Sequence, residues 1–249
     1  MELKRILDLG LAVDEKSPPT PVLSRENAVV HYDKEPVMLK INEIFYSIQG
    51  ETSYVGNPTV FVRTTACNLR CTYCDTKYSY YEGENQSLEN ILKEVDSYQA
   101  PYVCVTGGEP LLQKEVHTLM TTLCDRGYKV SLETSGSKSV KQVDPRVKII
   151  LDVKTPDSGA ANSFLMENIG FSTASTEYKF VICSEEDFDW SENFCRQHNL
   201  FEKFVVLYSP SYGQVSERWL AEKILQKKSS ARLQLQLHKY IWSAETRGV

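Results

Sequence analysis

Three cysteines fall within eight residues, Cys67-Asn-Leu-Arg-Cys71-Thr-Tyr-Cys74, directly after the apolar run Thr59–Thr64, while the other four cysteines, at 104, 124, 183 and 195, are scattered. Soft thiolates this close together bind an iron–sulfur cluster or form part of a zinc site. A structural zinc site is closed by four protein ligands, yet no Cys or His stands between Cys74 and Cys104, and the next His is His117. Three ligands on a four-iron cluster would leave one iron open to a small molecule. A second feature, Thr106-Gly-Gly-Glu-Pro110, closes the apolar run Tyr102–Val105, and its paired glycines permit a close backbone approach.

These groups need a scaffold, and the chain alternates apolar runs with helical ones. Strands are expected at Leu39–Ser47, Thr59–Thr64, Tyr102–Thr106, Lys129–Glu133, Lys148–Val153, Glu177–Ile182, Lys203–Tyr208 and Arg232–Leu237, which are rich in Val, Ile, Phe and Tyr. Helices are expected at Ser87–Tyr98, opening on a Ser N-cap, at Lys114–Arg126, stopping before Gly127, at Glu185–Asn199 after Ser184, and at Val215–Lys227. Strand, helix, strand with short connections predicts an α/β fold, a partial βα barrel with a mainly parallel sheet. Reactive groups then gather at the carboxyl ends of the strands.

The chain has 249 residues, 41% of them hydrophobic, with 28 Lys+Arg against 33 Asp+Glu for a net charge of −5. That composition supports a buried core and lacks the broad basic footprint of direct nucleic-acid binding. No apolar run approaches the roughly 20 residues of a membrane span, so a cytoplasmic protein with no membrane partner is expected. An odd cysteine count argues against a secreted disulfide framework. Cys104 and Cys183 sit with apolar runs and Cys124 and Cys195 on predicted helices, all read as packing thiols. Residues 14–37 hold four of the ten prolines among charges, which predicts an extended leader over 1–38 before a single domain over 39–249.

With an aromatic residue before its last Cys, the cysteine motif resembles the radical S-adenosylmethionine superfamily, and the Gly-Gly-Glu-Pro turn is similar to the loop that meets the cofactor's methionine amine there. Phe45-Tyr-Ser-Ile-Gln-Gly-Glu51, Phe61-Val-Arg63, Cys74-Asp-Thr76, Leu132-Glu-Thr-Ser-Gly136, Leu151-Asp-Val-Lys-Thr-Pro156, Gln236-Leu-His-Lys239 and Arg247-Gly-Val249 resemble, in order and spacing, the 7-carboxy-7-deazaguanine synthase family. The resemblance covers roughly residues 39–249. It implies radical ring contraction of 6-carboxy-5,6,7,8-tetrahydropterin with loss of ammonia, on the route to queuosine. A 4Fe-4S cluster, S-adenosyl-L-methionine and Mg²⁺ are the implied cofactors. A flavodoxin or ferredoxin electron donor and a homodimer are the implied partners.

The same resemblance assigns site residues. Cys67, Cys71 and Cys74 would hold the cluster and Thr76 the Mg²⁺. Tyr73, Cys74, Asp75, Gly108, Ser135, Asp152, Val153, Lys154, Ser209, Pro210, Ser211 and Tyr212 would contact S-adenosylmethionine. Ile48, Gln49, Gly50, Glu51, Arg63, Thr106, His238 and the carboxylate of Val249 would contact the pterin. The residue types suit these roles. A guanidinium such as Arg63 forks a carboxylate, the Gln49 amide and the Glu51 carboxylate match a pterin's hydrogen-bonding edge, and Asp152 and Lys154 project on one face of a strand. Each residue also has a plainer reading: an ion pair for Arg63 and for Asp152 with Lys154, a turn hydroxyl for Thr106, a structural His for His238 and a frayed tail for Val249. Two other functions remain open from the residues alone, a protein that activates a glycyl-radical enzyme and a non-catalytic iron–sulfur or zinc module.

Overall fold

The computed structural model describes residues 36–249. The predicted leader over 1–38 therefore lies outside the described residues except for its last three, and Met38 already pairs with Ser87 in the sheet. The strands are β1 (Met38–Ile48), β2 (Pro58–Thr64), β3 (Glu84–Ser87), β4 (Tyr102–Gly107), β5 (Lys129–Thr134), β6 (Lys148–Asp152), β7 (Glu177–Ile182), β8 (Val205–Pro210) and β9 (Arg232–Leu233). The helices are α1 (Leu88–Ser97), α2 (Val116–Asp125), α3 (Asn168–Phe171), α4 (Glu185–Gln197), α5 (Leu200–Lys203), α6 (Glu217–Lys227) and α7 (His238–Ile241).

The strands form one sheet in the order β3-β1-β2-β4-β5-β6-β7-β8-β9. β1 runs antiparallel to β2 and β3, and every pairing from β2 to β9 is parallel. With β3 and β9 as edges, the sheet is the expected mainly parallel, partial barrel. Ser87, Ser184 and Ser216 cap α1, α4 and α6 by accepting from the backbone N–H three residues on, at 3.2, 3.1 and 3.2 Å. Helical spacing then sends one apolar stripe inward, as in α2, which buries Val116, Leu119, Met120 and Leu123, each worth about 2 kcal/mol.

The period of two along the strands builds the site. Val60 and Val62 of β2, Val103 and Val105 of β4, Val130 and Leu132 of β5, Ile149 and Leu151 of β6, and Tyr178, Phe180 and Ile182 of β7 join the core beneath the helices. The alternate positions Phe61, Arg63, Thr106, Glu133, Asp152, Lys179 and Val181 face the other way and line a cavity. Register brings them side by side, with Arg63 opposite Thr106 and Asp152 opposite Lys179.

Four element boundaries depart from expectation. β3 was not anticipated, because Glu84-Asn-Gln-Ser87 is polar and forms only an edge. Lys203 is helical, since Asn199 at φ 53° ends α4 and a new turn, α5, follows before β8. The strand expected over Arg232–Leu237 keeps only two residues in the sheet. Beyond them, the Leu237 N–H donates to Gly50 O at 3.0 Å, drawing the chain to the end of β1. Val153 falls just past β6, though its N–H still donates to Lys179 O at 2.8 Å. Among the described residues no helix is long and apolar enough to cross a membrane.

Candidate active site

A cavity of about 740 Å³ opens on the polar face of the sheet, walled by strand ends, by the cysteine loop after β2 and by residues 236–249. Cys67, Cys71 and Cys74 all line it. Their thiols are free and half-buried. Burial pushes the Cys67 and Cys71 thiols up, so ligation of a metal would have to displace their protons. Among the described residues no three Cys, His, Asp or Glu side chains converge on a single ion.

The Gly-Gly turn lies against the start of this loop. A Cβ on Gly108 would stand 2.2 Å from Ala66 O and 2.7 Å from Cys67 Cβ, so only glycine lets the turn pack this closely on the start of the cysteine loop. Glu109, fully buried, locks the turn. Its carboxylate accepts from the Thr134 hydroxyl at 2.8 Å, the Ser135 N–H at 2.9 Å, the Ser135 hydroxyl at 2.5 Å and the Leu111 N–H at 3.1 Å. Tyr73 lines the cavity, its buried hydroxyl without a hydrogen-bond partner among the described residues. Asp152 and Lys154 pair at 3.0 Å on the wall, so the ion-pair and cavity readings both hold. Burial opposes both charges, and each holds the other ionised, lowering Asp152 and raising Lys154. An open thiol set, a close-approach glycine turn and an orphaned hydroxyl fit an open-iron cluster with a polar ligand upon it.

The opposite wall is a network of buried charges. Lys179 contacts Glu51 and lies 3.7 Å from Asp152. Gln236 Nε2 donates to Glu51 Oε1 at 2.9 Å. Burial raises the cost of the Glu51 carboxylate, but the Lys179 ammonium outweighs it and Glu51 is held below its ordinary value. Glu133 moves the other way, raised by burial and by Glu51. It accepts from the Thr106 hydroxyl at 3.1 Å and from Gln49 Nε2 at 3.4 Å. Arg63 donates through Nε to Glu43 at 2.7 Å, and the Tyr78 hydroxyl donates to the same carboxylate oxygen at 2.8 Å. Among the described residues the Arg63 terminal nitrogens make no hydrogen bond, so the ion pair aims the guanidinium into the cavity rather than consuming it. Glu43, Glu133 and Lys179 were not anticipated. Their signal was a charged residue at a cavity-facing position of a strand.

Most of the expected site residues share the cavity: Ile48, Gln49, Glu51, Arg63, Tyr73, Asp75, Thr76, Thr106, Gly108, Ser135, Asp152, Lys154, Ser211, Tyr212, His238 and Val249 beside the cysteines. Four do not line it. Gly50 is packed against His238, where an added Cβ would meet Nδ1 at 2.3 Å, so it seats that ring rather than facing the cavity. The Val153 side chain joins the hydrophobic core, because it alternates with Asp152 and Lys154. Ser209 and Pro210 end β8, buried behind Ser211. Asp75 is exposed, and Lys239, 2.6 Å away, holds its carboxyl below the ordinary value. Near Val249, Arg247 stacks 3.7 Å over the Tyr78 ring and pairs with Glu82 at 3.1 Å, tying residues 244–249 across the mouth.

With this geometry in place, comparison with known proteins is informative. The Radical SAM superfamily model matches residues 61–194. A 7-carboxy-7-deazaguanine synthase from Chlorobaculum tepidum is 44% identical over 217 residues, covering 85% of this chain and 97% of that protein. One from Koribacter versatilis is 42% identical over 227 residues, covering 85% and 100%. In fold, the crystal structure of QueE from Escherichia coli superposes with a TM-score of 0.67 at 22% identity, over 81% of this chain and 95% of that one.

Proposed function

The chain belongs to the 7-carboxy-7-deazaguanine synthase family of the radical S-adenosylmethionine superfamily, and from that premise we propose how its cavity divides the work of the reaction. The reaction is the radical ring contraction of 6-carboxy-5,6,7,8-tetrahydropterin to 7-carboxy-7-deazaguanine with release of ammonia. The observation that carries the site reading is that the three-cysteine loop and a half-buried, aimed guanidinium, Arg63, open into one cavity.

Cys67, Cys71 and Cys74 would hold a 4Fe-4S cluster, which together with S-adenosyl-L-methionine would supply the radical chemistry at the pterin. The chain's own residues bind, orient and exclude water. Gly108 lets the cofactor's methionine end approach the backbone, while Tyr73, Ser135 and the Asp152–Lys154 pair offer hydroxyl and charged partners to its polar groups. Arg63 forks the substrate carboxylate. Glu51, kept ionised by Lys179, accepts from the ring N–H groups, with Gln49, Thr106 and His238 completing the polar edge. Thr76 offers one oxygen to Mg²⁺, an ion that keeps several waters and needs few protein ligands. Residues 244–249 cover the substrate end, with Val249 on the cavity wall. Our reading includes a cytoplasmic homodimer reduced by a flavodoxin or ferredoxin.

The test is anaerobic turnover of reconstituted protein with dithionite, S-adenosylmethionine, Mg²⁺ and the carboxytetrahydropterin, read by mass spectrometry. The product mass without stoichiometric loss of S-adenosylmethionine is expected. Cleavage of the cofactor to 5′-deoxyadenosine with no such product would sink the substrate assignment and favour activation of a partner enzyme.

A further inference from the structure

The loop that turns three thiols inward also has an outer face. Arg70, between Leu69 and Cys71, is exposed, and its Nη1 donates to Cys67 O at 2.8 Å and to Leu69 O at 2.7 Å. Its guanidinium stacks 4.3 Å from the centroid of Tyr80 and lies 5.8 Å from that of Tyr81, whose hydroxyl accepts from Nη2 at 3.3 Å. Tyr81 is 74% exposed. A second cation, Lys40, sits with Nζ 3.3 Å from Tyr81 O. The nearest acid in sequence, Glu82, is paired with Arg247. On the inner side, Tyr80 lines the cavity together with Cys67, Cys71 and Cys74. One aromatic layer therefore separates an ordered, cationic surface from the cysteines.

Arg70 and Tyr81 do not line the cavity. They are nonetheless held in fixed geometry, and Arg and Tyr are the types that carry binding energy at protein interfaces. The chain's net charge is −5, so a cation pair flanking an exposed aromatic is a local exception that steers an acidic partner. The reaction requires electrons delivered singly from outside, and among the described residues no second set of cysteines is grouped to hold a redox centre.

We propose that Arg70, Tyr81 and Lys40 form the docking surface for an acidic one-electron carrier protein, with Tyr80 as the layer between carrier and cluster. The carrier is oxidised by one electron and the cluster held by Cys67, Cys71 and Cys74 is reduced by one. No bond is made or broken and no proton moves. This assignment rests on the function proposed above.

The test compares two reductants on the reconstituted holoprotein, dithionite and a purified reduced flavodoxin, with 5′-deoxyadenosine formation as the rate. Calorimetric titration with oxidised flavodoxin at low and high salt gives affinity independently of turnover. Arg70→Glu is expected to weaken flavodoxin binding about tenfold or more and to flatten its salt dependence, with the dithionite rate within about twofold of the parent. Tyr81→Ala, which leaves the charge in place, is expected to weaken binding several-fold with the salt dependence kept. Unchanged affinity in both variants would overturn the proposal. Equal loss of the dithionite and flavodoxin rates would also overturn it, since Arg70 would then only shape the cysteine loop. So would a change of oligomeric state on sedimentation with flavodoxin affinity unchanged, which would give this face to a second copy of the chain. If the parent makes no product with dithionite, the functional reading fails, and the flavodoxin affinities still judge the surface by themselves.

Discussion

On the cavity wall formed by β1, β2, β5 and β7, each charged group is tied to a partner: Glu51 to Lys179, Arg63 to Glu43, and Glu133 to the neutral donors Thr106 and Gln49. On the facing wall, the cysteine thiols are half-buried and free, the Tyr73 hydroxyl has no partner among the described residues, and Gly108 packs without a side chain against Ala66 and Cys67 at the start of the cysteine loop. The first wall is preorganised to read the shape and charge of a small polar molecule. The second is left incomplete, in keeping with the cluster and ligand proposed for it. Buried charges organised before binding cost folding stability but lower the cost of orienting a substrate.

The comparison breaks most sharply at the thiols. Cys71→Ala should abolish both bound iron after reconstitution and formation of 5′-deoxyadenosine, and full iron content in that variant would rule out its ligand role. On the charged wall, Lys179→Met should cost about 3 kcal/mol in urea denaturation, because Glu51 is left buried without its cation. Lys179→Arg should recover most of it. Glu51 lies below its ordinary value of 4.5 in the folded chain, so its stabilising contribution is present above that pH and lost as pH falls through the lowered value. Lys179→Met should therefore remove this acid-side loss, its destabilisation being largest near neutral pH and shrinking as Glu51 takes up a proton, and a penalty that does not change with pH would disconnect the two residues. Gly108→Ala should weaken S-adenosylmethionine binding about tenfold, since its Cβ would collide with the Ala66 carbonyl. The matching change across the cavity, Gly50→Ala, should displace His238 and raise the KM for the pterin a few-fold while leaving S-adenosylmethionine affinity unchanged. If both glycine variants shift the same ligand, the division into two walls is wrong.

The incomplete wall was the more legible one in the sequence. Clustered cysteines and paired glycines are rare, contiguous in the chain and explained by little else, so Cys67, Cys71, Cys74 and Gly108 stood out. The charged wall was legible only through resemblance. Its members come singly from separate strands, and Lys179 inside Glu177-Tyr-Lys-Phe-Val-Ile182 reads locally as one cation in an apolar run. What makes it a cavity residue is its register against Asp152, a nonlocal fact. The same alternation removed Val153 from the site, since a residue between two cavity-facing neighbours on an extended segment must point to the core. Helix and strand positions were largely legible because caps and apolar periods are local. The early end of β9 was not, because its cause is a hydrogen bond to Gly50, far away in the chain.

The cysteine loop follows β2, whereas the charged wall is completed by β1 and by residues 236–249, which meet through Leu237 with Gly50, Gln236 with Glu51 and Arg247 with Glu82. Synthesis proceeds from the N-terminus, and a domain folds as a unit. Although the cysteine loop leaves the ribosome first, the chamber is completed only by residues 236–249, so a chain that stops before Gln236 would keep every thiol of the loop and lose both the Leu237–Gly50 and the Gln236–Glu51 bonds that close it.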